Sequence, residues 1–228
     1  MGKVITQNLQ QIQTDADGIT TNQTGLTAGD VLPLDGVLTK LDPFLSRYVS
    51  FREDYGVGAQ LTLTTGLTGS TATVTIVGRG LGNEELTETV TLPGASSTVT
   101  TTNVFTAVFS MTINGTGENV SVGVDSANDQ YGPWINWDHW QNGSEVSLEV
   151  VIDGTTPTVT LEHTLQEDLY QNGYDGSSAF PEGSPFATMS TTQRGILNGP
   201  FMGSRIAITA GTAVTATVRF LYSGGGQQ

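Results

Sequence analysis

The segment ELTETVTL alternates without a break: Leu86, Glu88 and Val90 share one face, and Thr87, Thr89 and Thr91 share the other. Order of period two is the mark of a pleated strand with one buried and one wet face. The pattern recurs. Leu61 and Leu63 alternate with threonine, Val74 and Ile76 alternate with Thr73 and Thr75, and STVTTTNVFTAVFSMTINGTGENVSVGV holds two or three more strands. Threonine on the wet face is β-branched and stiffens a strand without adding charge. Glycine-centred turns punctuate these runs at Gly80–Asn83, Asn114-Gly115 and Gly117-Glu118-Asn119, the last two reading as hairpin signals. Further on, strands are predicted at Glu145–Ile152 and Pro157–Thr164, joined by an Asp153-Gly154 turn. Two more, Arg205–Ala210 and Ala213–Tyr222, flank an Ala210-Gly211-Thr212 turn. A long irregular stretch from Leu165 to about Gly203 separates the two pairs. The fold class that follows is all-β, with two β-sandwich-like domains.

The beginning reads differently. Residues 1–58 show turn chemistry at Asp17-Gly18 and Gly29-Asp30, and short apolar islands without sustained periodicity. A short helix within Leu38–Phe51 is limited by Pro43. This part is predicted to be an extended N-terminal arm lying along a partner. A first β-domain then occupies 59–125, a second 126–223, and a flexible tail 224–228. The chain is only 36% hydrophobic and carries 29 glycines, so its interior is expected to be completed by neighbouring copies.

Twenty-two acidic against eight basic residues give a net charge of −14. Nucleic-acid binding needs many basic groups to neutralise phosphates, so no direct nucleic-acid partner is expected. There is no cysteine, hence no disulfide framework and no thiolate metal site. No apolar run approaches the roughly 20 residues that span a bilayer. The opening MGKVITQNLQ lacks the apolar core of a secretory signal, and the product is expected in the cytoplasm where it is made.

Chemistry-bearing motifs are sparse. The two histidines are His139 and His163, and on a strand Glu162 and His163 point to opposite faces, which favours a structural histidine. Gly78-Arg79-Gly80-Leu81-Gly82 resembles a phosphate loop but lacks a following helix, so a hairpin turn is the better reading. Asp15-Ala16-Asp17-Gly18 opens like a calcium loop without the remaining ligands, and Glu84 and Glu85 sit in a loop with no obvious pocket, where a glycosidase reading would need a second carboxylate facing them. No catalytic residue, metal ligand or cofactor is assigned, and no enzyme activity is expected. Trp134, Trp137 and Trp140 form an aromatic cluster, read as core or subunit-interface packing rather than as a sugar platform.

ADGITTNQT, VTIVGRGLGNEELTETVTL and VFTAVFSMTINGTGENVSVGV, followed by PWINWDHW, VSLEVVIDGTTPTVTLEHTLQEDLY and RIAITAGTAVTATVRFLY, occur in this order. Together they resemble a class of uncharacterised tailed-phage virion structural proteins, over about Asp17 to Leu221. HTLQEDL departs from that pattern, which has an aromatic after His-Thr. The resemblance implies a particle component, made in the host cytoplasm and located in the virion. The leading expectation is a capsid decoration or cement protein that binds the major capsid protein, or another virion protein, as a homo-oligomer with a trimer favoured. The arm residues expected to make the contact are Val31, Leu32, Leu34, Val37, Leu38, Leu41, Phe44 and Leu45. A neck, tail-tube or tail-hub component is the alternative, and a host-surface glycan-binding module the third reading.

Overall fold

The computed structural model describes residues 4–42, 46–66, 71–93, 97–136, 146–165, 180–181, 185–197 and 203–222. The first half holds β1 (Val4–Gln10), β2 (Asp15–Gln23), β3 (Thr39–Asp42), β4 (Ser46–Ser50), helix α1 (Phe51–Tyr55), β5 (Gly58–Ala59), β6 (Leu61–Thr64), β7 (Thr73–Arg79), β8 (Glu85–Thr91), β9 (Thr98–Thr100), β10 (Ala107–Asn114) and β11 (Val120–Val124). The second holds β12 (Gln130–Tyr131), β13 (Ile135–Asn136), β14 (Val146–Thr164), β15 (Phe180–Pro181), β16 (Gln193–Leu197) and β17 (Gly203–Tyr222). The protein is all-β, as expected.

Among the described residues the strands form three antiparallel sheets. One runs β2–β11–β6–β9, and a second runs β3–β4–β10–β7–β8. The third is built on the long pair β14 and β17, with β15 and β16 on β14, and β1, β12 and β13 on β17, β5 lying beyond β12. Buried side chains of all three join one continuous core, from Leu9 and Ile12 through Ile76, Met111 and Val122 to Leu161 and Phe220.

Several local expectations hold. Leu86, Glu88 and Val90 are the more covered face of β8. The turn after β7 closes with the Asn83 amide donating to the Gly80 carbonyl (3.0 Å), and Asn83 takes a left-handed conformation (φ 68°). Gly29 also adopts positive φ (94°), in a turn where the Asp30 amide donates to Thr27 (3.1 Å).

Others are corrected. The N-terminal segment is not an arm over its described residues. β1 pairs with β17 along its whole length, from Val4 opposite Leu221 to Gln10 opposite Thr215. β2 pairs with β11 in another sheet. The Asp17-Gly18 pair lies inside β2 rather than in a turn. The strand character of β1 is hidden because its more covered face, Ile5, Gln7 and Leu9, includes a glutamine. Two further glutamines then do backbone work. Buried Gln130 accepts from the Ile12 amide (2.7 Å) and donates to the Ile12 carbonyl (2.8 Å), replacing a strand neighbour. Buried Gln11 donates to Ser126 and Gly211 carbonyls (both 3.2 Å) and accepts from the Val214 amide (3.3 Å).

The predicted hairpins at Asp153-Gly154 and Ala210-Gly211-Thr212 are not hairpins. β14 and β17 run through both sites and pair from Val146–Tyr222 to Thr164–Gly203, and the register shifts where Asp153 and Thr155 face Thr215 and Thr212. Positive φ at Gly154 (132°), Thr156 (47°), Gly211 (121°) and Ala213 (53°) absorbs the irregularity. Likewise Asn114–Asn119 carries the chain from β10 in one sheet to β11 in another, instead of closing a hairpin.

Candidate functional site

The residues predicted to meet a partner divide into three groups. Leu32 and Leu34 are buried in this chain's own core and Leu38 packs against it, so these are corrected to core positions. Val31, Val37 and Leu41 stand 66%, 83% and 74% exposed. Phe44 and Leu45 lie outside the described residues. Leu41 sits on β3, the outer strand of its sheet, and Val31 forms a bridge to Thr112 on β10 of the same sheet. Lys40 ties β3 to α1 through Glu53 (3.3 Å) and Asp54 (2.7 Å).

Of the tryptophan cluster, Trp134 is buried; Trp137 and Trp140 lie outside the described residues. Trp134 precedes the extended pair β13, so it is not on a helical turn. Its ring and that of Tyr131 lie against the Arg205 guanidinium, at 4.6 and 4.1 Å from guanidinium carbon to ring centroid. Arg205 is itself buried and donates to Glu162 (2.7 Å), its cross-strand neighbour. A guanidinium needs this company: its charge is screened by a carboxylate at one edge and by ring faces around it. Burial, then the negative charges of Asp129 and Glu162, push the Tyr131 phenol up to about 12. One step along the ribbon, the Ser204 hydroxyl hydrogen-bonds to Nδ1 of His163 (2.5 Å). Burial pushes this histidine down to about 4, so it is neutral near pH 7. Both side chains are fully buried, which makes the pair an internal tie between β14 and β17.

A second cluster escaped the sequence reading. A cleft of about 560 Å3 opens over the β4–β10–β7 face and is lined by Arg47, Arg52, Arg79, Glu53, Asn83 and Phe109 among others. Arg47 comes from β4, Arg52 and Glu53 from α1, Arg79 from the end of β7, Asn83 from the β7–β8 turn and Phe109 from β10. The register places Val108 opposite Gly78 and Ser110 opposite Val77, so Phe109 is the extra residue of a β-bulge. A bulge re-aims a side chain, and here the ring stands 41% exposed in the cleft. Arg79 lies 5.7 Å from that ring and donates to Asn83 (2.8 Å); Arg47 donates to the Leu34 carbonyl (3.3 Å). Gly78 is required beneath: a Cβ there would fall 2.1 Å from the Ala107 carbonyl oxygen. Arg47 and Arg52 are near neighbours in sequence, and the pairing of β4 and β7 on either side of β10 brings Arg79 to them.

No known family matches the chain, and no curated protein matches it. Among solved structures, the N-terminal CBM22-1–CBM22-2 tandem domain of Paenibacillus barcinonensis Xyn10C covers 88% of this chain and 100% of its own, at 9% identity and a TM-score of 0.25. A likeness that slight carries no argument about fold or function.

Proposed function

We propose that the chain is a non-enzymatic structural subunit of a tailed-phage particle, a capsid decoration protein that assembles as an oligomer, with a trimer favoured, and docks on the major capsid protein. The observation that supports this reading is the exposure of Val31, Val37 and Leu41 in a protein whose core is otherwise filled from within. Single exposed apolar residues are ordinary. Three in one short segment, one of them on an outer strand, offer apolar contact beside backbone groups that a neighbour can pair with. The resemblance of the ordered motifs to phage virion proteins supplies the particle.

The test is assembly and copy number. Wild-type protein is expected to sediment as an oligomer, and Val37→Asp with Leu41→Asp to yield monomers and to lose particle attachment while remaining folded. Copies on the order of hundreds per particle place it on the head lattice, whereas a single small ring places it on the neck or tail axis. A wild-type monomer absent from purified particles would overturn the proposal.

A further inference from the structure

We infer that the arginine-lined cleft binds an acidic saccharide: a sugar ring carrying a carboxylate, of the uronate type. The inference is independent of the assembly the chain belongs to.

Charge makes the first argument. The chain has eight basic residues against twenty-two acidic ones, and three of the eight line this one cleft, beside a single carboxylate among its described lining residues, Glu53. Glu53 is already shared with Lys40. No carboxylate among the described residues forms an ion pair with Arg47, Arg52 or Arg79. Guanidinium groups are planar forks that match a carboxylate with two parallel hydrogen bonds.

Shape and polarity make the second. The bulge turns Phe109 into the cleft, supplying an apolar ring face beside Arg79. A bare anion would leave that face unused. Glu53 adds an acceptor, which a bare anion cannot use but ligand hydroxyls can. A ring with one C–H face, hydroxyl edges and one carboxylate uses all three features. A cavity of about 560 Å3 is of the size that holds small ligands. The net charge of −14 disfavours polyanions, so few charges per ring suit it better than many.

The experiment is calorimetric titration of the full chain, at low salt, with trigalacturonate, its methyl ester, inorganic phosphate and an acidic hexapeptide. Trigalacturonate is expected to bind, and its methyl ester at least about tenfold more weakly. Arg52→Gln and Phe109→Ala, both at exposed positions, are each expected to weaken trigalacturonate about tenfold or more, while Arg194→Gln, which pairs with Glu149 on the other sheet, leaves binding unchanged. Circular dichroism confirms that each variant is folded. Equal binding of acid and ester, binding undiminished in Arg52→Gln, a preference for phosphate or peptide, or no binding of trigalacturonate up to about 1 mM would each overturn the inference.

Discussion

At Arg205 and His163, on adjacent rungs of the β14–β17 ribbon, a cation and a neutral imidazole are both buried, and each carries a measurable consequence. Arg205 loses its hydration and recovers contacts from Glu162, Tyr131 and Trp134. Arg205→Ala removes the ion pair and both ring contacts and is expected to cost about 3 kcal/mol in denaturant unfolding. His163 titrates near 6.5 in the unfolded chain and is held down to about 4 when folded. The unfolded state therefore binds the proton first. Stability from the neutral imidazole is complete above about pH 6.5 and is lost as pH falls toward 4, by roughly 3 kcal/mol over the window. Unfolding measured from pH 7 to 4 should show that slope, and His163→Gln should flatten it. The alternation around Glu162 and His163 was readable in the sequence; the ring stack was not, because its members lie in separate segments.

Elements show the same split between local and distant causes. β8 and its turn are set by residues within a few positions of one another, and they form as the alternation predicts. Gly154 and Gly211 signal a break in the strand equally whether the chain reverses or bulges. The choice was made by pairing, since two long strands side by side satisfy more backbone groups than two short hairpins. β1 is the strongest case. Its strand pattern is masked by Gln7, and its partner lies at the far end of the chain. Deleting residues 1–12 should bare the β17 edge and remove Leu9 and Ile12 from the core, leaving protein that fails to fold or melts far below wild type. Gly123→Ala should be severe as well, because a Cβ there would fall 1.8 Å from the Asp15 carbonyl oxygen, where β2 pairs with β11.

At the scale of the molecule, one core runs through all three sheets, and residues 1–58 contribute strands to each of them. The chain is expected to unfold in one transition, with coincident tryptophan fluorescence and far-ultraviolet circular dichroism; two separated transitions would show that its halves are energetically independent. The expectation that neighbours must complete the interior is corrected by the same observation. The interior also takes in buried polar side chains, of which Thr101 and Gln130 pair their polar atoms internally.

What the amino-acid order determined alone was the class: an all-β chain of short, threonine-faced strands, because period-two alternation depends only on residues two positions apart. Tertiary structure decided the rest. Whether a glycine turns or bulges, whether a polar opening segment becomes an edge strand, and which arginines share a cleft all depend on backbone groups meeting across the length of the chain. Those meetings are governed by hydrogen-bond completion and shared burial, which no short window of sequence contains.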